Sequence, residues 1–404
     1  MSDGRIRILM VTTSLGGGAG LHVHQLAHYL DPERFDVRLA FAPGYPRDRW
    51  IEREGIPYTH MRWRRTLHPI ATLQGAQDLL RLLEREPVDI LHAHCSIAGV
   101  VGRLAAAWRR VPHTVFSVHA LASRDYQPAW RRRAFLEIER GMDRFTDRYF
   151  VFTNALKNQL IVRGISRPDK IEVIPHGIEI PPAPGAGERE RARQRLGLTN
   201  GELVVAAVGR LETQKGLVHL IRAFPGVVAR VPSARLVLLG DGPLRASLEH
   251  EAAAQGLNGA VRFLGWREDV PELLPGMDLF CLPSLWETFG YVLLEAMACK
   301  VPIVASAVDS TPEVVGRGQH AVLVPPADPA SLGDALVGLL ADPDRRSALA
   351  AAGRRYMESS YGLSQMIHRY ESAYAALAAT ERCAHGRSCA PGTATGPRSA
   401  RGEA

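Results

Sequence analysis

Short apolar runs of strand length alternate with helix-period segments along most of the chain. In the first half these runs are 6–12, 35–41, 89–92, 115–119 and 149–152, and in the second half they are 203–208, 236–239, 261–263, 279–282 and 303–305. Such runs, separated by amphipathic helices, are typical of parallel strands that helices cover on both faces. The pattern predicts an α/β protein with two doubly wound, Rossmann-like domains.

The alternation breaks in a segment rich in proline and glycine, residues 180–187. Such a composition is typical of a connection between domains. Two helical stretches, 345–359 and 363–379, follow the last predicted strand, and the chain then becomes rich in Gly, Ala, Ser, Arg and Pro. We therefore divide the chain into an N-terminal Rossmann-like domain (1–180), a linker that leads into the second domain (181–200), a C-terminal Rossmann-like domain (201–360), a C-terminal helix (361–380) and a disordered tail (381–404).

Length and composition exclude several classes of protein. A chain of 404 residues with 46% hydrophobic residues is long enough for two or three domains with real cores, so it is neither a disulfide scaffold nor a disordered chain. The 5 cysteines include no CxxC pair, and the chain opens with no signal sequence. No apolar run reaches the roughly 18 residues that a membrane span needs. We expect a cytoplasmic protein.

The net charge of +7 lies entirely in the first half of the chain. Residues 1–180 hold 26 Lys and Arg against 19 Asp and Glu, whereas residues 181–404 hold 23 of each. A basic half indicates either an anionic partner or an Arg-rich solvated surface. We expect no nucleic acid partner.

Three tryptophans in this half stand next to arginine runs: Trp63-Arg64-Arg65, Trp108-Arg109-Arg110 and Trp130-Arg131-Arg132-Arg133. Tryptophan and arginine together suit the interface of an anionic membrane, so a peripheral membrane contact is one hypothesis. The alternative is that the rings pack inside the protein and the arginines are solvated.

A glycine-rich loop follows the first predicted strand and precedes a helix. It spans Ser14 to Gly20 and contains Gly16, Gly17 and Gly18. This geometry presents backbone N–H groups and a helix dipole to an anion. The spacing does not match GxGxxG, and no acidic residue ends the second strand, so a dinucleotide site is disfavoured. The alternative is that the glycines only allow close packing.

Two cations lie five residues apart in the loop after the strand at 203–208, Arg210 and Lys215. Open parallel sheets bind ligands at this edge. An Arg fork and a Lys point charge suit the two phosphates of a diphosphate, although two exposed cations without a ligand would give the same pattern.

The segment 282–298 contains two glutamates with different positions. Glu287 precedes a helix that we predict to begin near Gly290, and Glu295 lies inside that helix. Five residues of helix span about 7.5 Å, close to the reach from a sugar across a diphosphate to a ribose. The helix N-terminus between the two glutamates is where a phosphate would bind.

Taken in order, these motifs resemble those of the retaining glycosyltransferases of family four, which have the GT-B fold. The resemblance implies two Rossmann-like domains that face each other across a cleft, an acceptor-binding domain (1–180) and a nucleotide-sugar-binding domain (201–360), with C-terminal helices that cross back to the N-terminal domain. The resemblance runs from about residue 5 to 378, and each motif in it is weak alone. It rests on Gly16-Gly17-Gly18, Gly209-Arg210 with Lys215-Gly216, 239–244, Phe263-Leu264-Gly265, the spacing of Glu287 and Glu295, and Pro312-Glu313.

The resemblance implies a role for each matching residue. Arg210 and Lys215 would hold the donor diphosphate, Glu287 the donor hexose and Glu295 the ribose hydroxyls, and 264–267 would line the base. His119, at the end of the run 115–119, would face the donor sugar. The predicted catalytic residues are therefore His119, Arg210, Lys215 and Glu287, and the other predicted donor-binding residues are Gly16, Gly17, Leu264, Phe289, Gly290, Tyr291, Val292 and Glu295.

Three positions depart from the family pattern. Gly20 stands where the family often has Glu, Asp309-Ser310 replaces Gly-Gly, and Lys300 replaces the glycine after the helix that carries Glu295. A left-handed helix end that carries Lys costs about 1 kcal/mol. We expect Asp309-Ser310 to lie nearest the sugar pocket, so the donor sugar stays open.

The sequence predicts no metal site. It also predicts no cofactor, because the nucleotide sugar is a substrate. Asp342-Pro343-Asp344 has the spelling of a DxD motif but stands between two helical runs, where Asp caps a helix. Cys383, His385 and Cys389 offer three ligands without a core to hold them. The pairs His24/His28 and His92/His94 have no evident third ligand, and we interpret both as structural.

We therefore expect a metal-independent, retaining hexosyltransferase that uses a nucleoside diphosphate sugar, foremost a UDP-sugar. Its expected acceptor is a lipid-linked sugar or a polysaccharide precursor. A GT-B phosphorylase or nucleotide-sugar epimerase is one alternative. A non-catalytic sugar-nucleotide-binding subunit is another.

Overall fold

The predicted alternation of strands and helices is present in the computed structural model, which describes residues 4–64, 68–121, 128–199 and 201–384. The elements of the first half are β1 (Ile6–Val11), α1 (Gly17–Tyr29), β2 (Phe35–Phe41), α2 (Asp48–Arg53), β3 (Tyr58–His60), α3 (Pro69–Arg85), β4 (Ile90–His94), α4 (Ser96–Arg109), β5 (His113–Ser117), α5 (Ala129–Met142), β6 (Arg148–Val151), α6 (Asn154–Val162) and β7 (Ile171–Val173).

The second half continues with the same alternation and ends in three helices. Its elements are α7 (Ala186–Arg195), β8 (Leu203–Val208), α8 (Leu217–Arg230), β9 (Ala234–Leu239), α9 (Arg245–Ala254), β10 (Val261–Gly265), α10 (Val270–Leu273), β11 (Leu279–Leu282), α11 (Tyr291–Ala298), β12 (Ile303–Ser306), α12 (Thr311–Val314), β13 (Val322–Val324), α13 (Pro329–Leu340), α14 (Pro343–Ser360) and α15 (Leu363–Ala384).

The strands form two parallel sheets. In the described part of the chain, the first has the order β3-β2-β1-β4-β5-β6-β7 and the second has the order β10-β9-β8-β11-β12-β13. In each sheet the chain first winds outward from one central strand, β1 or β8, and then returns to that strand's other side. Doubly wound sheets bind ligands at the carboxyl ends of the strands where the winding reverses.

The structure adds elements that the apolar runs do not show. The edge strands β3, β7 and β13 have three residues each, and α7 occupies half of the predicted linker. Helix α7 is polar and is fixed to the C-terminal domain by charge, since Arg189 and Arg193 both pair with Asp278. Residues 186–195 therefore belong to the second domain.

The last helix crosses back onto the first domain, as the fold class predicts. Tyr370 and Tyr374 of α15 are fully buried in the same core cluster as Ile8, Phe35 and Phe150. The Tyr374 hydroxyl lies 2.7 Å from His92 Nδ1, and Glu371 accepts a hydrogen bond from the backbone N–H of Asp31. No helix among the described residues combines the length and the apolar character needed to cross a bilayer.

Candidate active site between the two domains

The two predicted cations of the second domain differ in their surroundings. Arg210 follows β8, is exposed over 44% of its side chain, and pairs with Glu212 at 2.5 Å. Lys215 Nζ lies 2.5 Å from Glu287 Oε2, so one predicted cation directly contacts one predicted carboxylate. Gly209 has φ +150°, and a Cβ at this position would lie 3.2 Å from Lys215 Cε. The backbone of the loop therefore packs closely against the Lys215 side chain. The loop therefore directs Lys215 toward Glu287.

Glu287 is buried and held from two sides. Ser284 Oγ donates a hydrogen bond to Glu287 Oε2 over 3.4 Å, and the backbone N–H of Glu287 donates to Asp309 Oδ2 over 3.1 Å. Asp309 has φ +42°, in the left-handed region where glycine is favoured. The family departure at Asp309 thus positions the backbone of Glu287.

The helix that the sequence places after Glu287 begins where it was predicted. Gly290 caps α11 with φ +83°, and the helix starts at Tyr291. Its first N–H groups and its dipole create a site for an anion. Among the other predicted donor residues, Phe289 is buried, and Tyr291, Val292 and Leu264 are half-buried. Lys300, with φ +54°, has the left-handed conformation expected after this helix.

Glu295 lies one turn into α11 and is half-buried. Desolvation raises the pKa of its carboxyl group to about 6. The side chain is therefore mostly ionised at neutral pH and can accept hydrogen bonds from hydroxyl groups, as the predicted ribose contact requires.

His119 lies two residues beyond β5 rather than at the strand's end. Its Nε2 lies 3.0 Å from Nδ1 of His94, the last residue of β4. Desolvation lowers the pKa of His119 to about 3, so the imidazole is neutral at neutral pH. A neutral ring offers one donor and one acceptor, and His94 occupies one of these.

His176 links His119 to the second domain. Its ring centroid is 6.0 Å from that of His119, 4.7 Å from that of Tyr291 and 4.8 Å from that of Phe289. The structure therefore brings His119 close to the N-terminus of α11, although the two lie about 170 residues apart in the sequence.

The sequence did not single out His94 and His176 as site residues. The interpretation of His92 and His94 as a structural pair fits His92, which is hydrogen-bonded to Tyr374 and Ser117. His94 instead contacts His119, and its Nε2 is buried with no partner among the described residues. The signal that could have found both is their position at the ligand-binding edge of the sheet, since His94 is the last residue of β4 and His176 follows β7 by three residues.

The glycine-rich loop is partly covered. A Cβ on Gly16 would lie 2.4 Å from the Tyr45 ring, whereas Gly17, with φ +65°, has open space beside it. Gly16 is half-buried and Gly17 is exposed, so Gly17 leaves more of its backbone accessible. A Cβ on Gly20 would lie 2.0 Å from the Leu15 carbonyl oxygen. This backbone has no room for the family's Glu at position 20.

The two domains contact each other beside the cleft. Tyr291 Oη donates to Gln25 Oε1 over 3.3 Å, and the hydroxyls of Thr153 and Ser310 lie 2.7 Å apart. Glu313 of α12 accepts hydrogen bonds from the N-terminus of α6 in the other domain. Ser310, which we expected near the sugar pocket, therefore lies at the interface between the domains.

Two other sequence predictions have clear outcomes. Asp342 caps α14 by accepting a hydrogen bond from the Arg345 N–H over 2.8 Å, so the DxD spelling is a helix cap as predicted. Trp63 is only 2% exposed and donates its indole N–H to the Thr12 carbonyl, so its assignment to a surface Trp-Arg cluster is wrong.

The other two tryptophans of the predicted Trp-Arg clusters lie at the surface. Trp108 and Trp130 are 78% and 71% exposed. The structure does not describe Arg65, the side chain of Cys383 or residues 385–404. Most of the predicted tail, with His385 and Cys389, therefore lies outside the described residues.

The protein has two doubly wound domains that face a shared cleft, with cations and a helix N-terminus on one side. This arrangement defines the GT-B class of glycosyltransferases. Family models agree with this class in both halves. Residues 17–177 match "Glycosyl transferase 4-like domain", and residues 188–356 match "Glycosyl transferases group 1". The chain belongs to glycosyltransferase family four.

Individual relatives support the same assignment. The chain is 30% identical over 384 residues to the alpha-maltose-1-phosphate synthase of Mycolicibacterium smegmatis, covering 86% of this chain and 94% of the relative. It is 29% identical over 284 residues to the UDP-Gal:alpha-D-GlcNAc-diphosphoundecaprenol alpha-1,3-galactosyltransferase of Escherichia coli, covering 69% and 73%. HepE of Anabaena, solved with UDP and glucose, has a TM-score of 0.81 at 23% identity over 92% of this chain and 100% of its own, which shows the shared fold.

Proposed function

We propose that this glycosyltransferase moves a hexose from a UDP-sugar to a lipid-linked or glycan-precursor acceptor, with retention of anomeric configuration and without a metal ion. The observation that carries the proposal is the contact of Lys215 with Glu287 just before the N-terminus of α11. It pairs a cation suited to a diphosphate with a carboxylate suited to sugar hydroxyls.

The donor half would work as follows. As the bond between sugar C1 and the diphosphate oxygen breaks, Arg210, Lys215 and the N–H groups of α11 stabilise the leaving diphosphate. The acceptor oxygen forms the new bond to C1 on the same face, and its proton passes to the departing phosphate oxygen. Fixed cations and a helix dipole would thus supply the charge that a divalent ion supplies elsewhere.

The two glutamates would act at different stages of this reaction. Glu287 contacts the sugar, whose charge changes in the transition state, so Glu287→Ala is expected to lower kcat. Glu295→Ala is expected mainly to raise the donor KM through lost ribose contacts. Equal and small effects of both substitutions would contradict these placements.

Relatives support the choice of donor and acceptor. HepE was solved with UDP-glucose, and the Escherichia coli relative is named for a UDP-Gal donor and a diphosphoundecaprenol-linked acceptor. Other relatives are named D-inositol 3-phosphate glycosyltransferase, so phosphorylated acceptors belong in the same screen.

The test measures thermal shift and turnover with UDP-, GDP- and ADP-sugars, followed by NMR of the product's anomeric configuration. We expect a UDP-sugar to give the largest shift, retention in the product, and full activity in EDTA. Lys215→Met is expected to lower kcat by about 10²-fold or more, with the exposed Lys300→Met as control. An inverted product, or activity that EDTA abolishes and manganese restores, would overturn the proposal.

The same assay separates the alternatives. A phosphorylase would need inorganic phosphate and release a sugar phosphate, and an epimerase would change the donor without acceptor. Slow donor hydrolysis in the absence of acceptor would argue against a non-catalytic binding subunit.

A further inference from the structure

Two histidines lie on one side of α1, in the C-terminal half of the helix. His24 and His28 are four residues apart, so their side chains are neighbours on the helix surface. Their ring centroids lie 5.8 Å apart with the rings 29° from parallel. His24 is mostly buried, and 39% of the His28 side chain is exposed. Solvent can therefore reach the pair from the His28 side.

The third group comes from the end of α2. Glu54 closes that helix with its N–H bonded to the Trp50 carbonyl, and Gly55 turns the chain with φ +66°. Glu54 Oε2 lies 2.8 Å from His24 Nε2 and 2.9 Å from His28 Nδ1. All three atoms lie within 4.8 Å of one another. The sequence pair that lacked a third ligand has one in the folded chain.

We propose that His24, His28 and Glu54 form a binding site for a divalent transition metal, foremost Zn²⁺. Two imidazoles and one carboxylate are a common zinc ligand set, and one open position remains for water. Mg²⁺ and Ca²⁺ prefer oxygen ligands alone, so this donor set selects against both.

The two distances from Glu54 need only a small adjustment to hold the ion, and the two ring nitrogens already lie within 4.8 Å of each other. Ligand atoms at about 2.0 Å from a tetrahedral Zn²⁺ lie about 3.3 Å from one another. The present separations of 2.8 and 2.9 Å would thus open by about 0.5 Å, which side-chain rotation supplies. The protons that His24 Nε2 and His28 Nδ1 now share with the carboxylate would move to the other nitrogen of each ring, which leaves a lone pair for the metal.

The proposed metal site lies between α1 and α2, the two helices that also flank the glycine-rich loop. Arg47, at the start of α2, donates hydrogen bonds to the carbonyls of Leu15 and Gly17, just before and at the start of α1. A metal between His24 and Glu54 would brace the same two helices at a second point. The ion would therefore stabilise the N-terminal domain and take no part in the transfer of the sugar.

Trp50 provides a reporter beside the site, since its ring centroid lies 5.5 Å from that of His24. The test uses the full chain without an affinity tag and with Cys383→Ser and Cys389→Ser, so that those thiols cannot bind the ion. Zn²⁺ binding is measured by calorimetry, Co²⁺ coordination by visible absorption, and Cu²⁺ binding by quenching of Trp50 fluorescence, with Trp50→Phe as the blank.

We expect one Zn²⁺ per chain and a higher Tm with Zn²⁺ than with EDTA, and no effect of Mg²⁺. His28→Ala and Glu54→Gln should each weaken Zn²⁺ binding by about tenfold or more. The exposed His250→Ala and Glu52→Gln, which leave the three ligands in place, should not. Transfer activity in EDTA should persist, so loss of activity there would bear on the reaction and not on this site.

Two results would overturn the proposal. One is the absence of saturable Zn²⁺ binding, or binding that His28→Ala and Glu54→Gln leave unchanged. The other is a Tm that both substitutions lower equally in Zn²⁺ and in EDTA, because the three side chains would then form a hydrogen-bonded cluster only.

Discussion

Glu313→Gln tests whether the contact between the domains controls donor use. The Glu313 carboxylate accepts hydrogen bonds from the backbone N–H of Asn154 at 2.8 Å, from its side-chain amide at 2.9 Å, and from the N–H of Ala155 at 2.9 Å. These groups belong to the first turn of α6, where unpaired N–H groups and the helix dipole favour a negative charge. Because Glu313 belongs to the other domain, this stabilisation exists only while the two domains are in contact.

The magnitude follows from what the substitution removes. Hydrogen bonds to charged groups contribute about 1.5–3 kcal/mol, and the helix dipole adds about 0.3–1 kcal/mol. Gln keeps one carbonyl oxygen and therefore part of these contacts. Helix α6 also keeps its own cap, since Thr153 Oγ1 accepts from the Leu156 N–H. We expect Glu313→Gln to weaken the contact between the domains by about 1.5 kcal/mol, a shift of about tenfold toward the form in which they are apart.

The assay compares donor kcat/KM with the radius of gyration at saturating UDP. Glu313→Gln is expected to lower kcat/KM about tenfold and to leave a larger radius, with the Tm changed little because each domain stays folded. The control is Glu268→Gln, an exposed glutamate of the same domain. The reasoning is refuted if kcat/KM and the radius stay at the wild-type values, or if the control has the same effect.

Three further predictions concern pH, packing and membranes. With the pKa of Glu295 raised to about 6 by desolvation, its ionised fraction falls from about 90% at pH 7 to about 10% at pH 5, so the donor KM should rise about tenfold, and Glu295→Gln should remove that dependence. Gly20→Ala places a Cβ against a backbone carbonyl and should cost about 1–3 kcal/mol in chemical denaturation, whereas Gly226→Ala, with open space in a helix, should be neutral or stabilising. If the arginines at 131–133 beside the exposed Trp130 contact a membrane, the protein should sediment with anionic vesicles at low salt and lose this when all three become Glu.

Each of these has a result that would contradict it. A donor KM that does not change with pH in the wild-type protein would show that Glu295 does not contact the donor. An unchanged midpoint for Gly20→Ala would show that the loop relaxes at no cost. Absence of binding to anionic vesicles at low salt would favour a soluble acceptor.

The sequence predicted the central strands and missed three of the four edge strands of the described sheets, β3, β7 and β13, for a physical reason. Central strands such as β8 and β11 are buried on both faces and therefore form continuous apolar runs. Edge strands such as β3 have three residues and one solvated face, so no apolar run marks them. Helix α7 lacks an apolar stripe because ion pairs to Asp278 hold it in place.

The parts of the candidate site that depend only on adjacent residues could be predicted from the sequence. Gly290 and the helix after it follow from the adjacent residues alone. The pairs Lys215–Glu287 and His94–His119 join residues 72 and 25 positions apart. Strand order decides such pairs, and a single sequence does not give strand order. For Trp63 the adjacent residues gave the wrong prediction, because its arginine neighbours indicated the surface whereas its ring is buried.

The crossing of α15 onto the first domain has a consequence for the chain as it leaves the ribosome. The strands of the first sheet are complete by residue 173, but the helix that carries Tyr370 begins only at Leu363. At about 5–20 residues per second, the intervening residues take about 10–40 s to synthesise. Throughout that interval the surface beneath Tyr370 and Tyr374 stays uncovered, and it is open to chaperones and to aggregation. Of the two domains, the N-terminal one is thus translated earlier but completed later, and a premature stop after residue 360 would damage it.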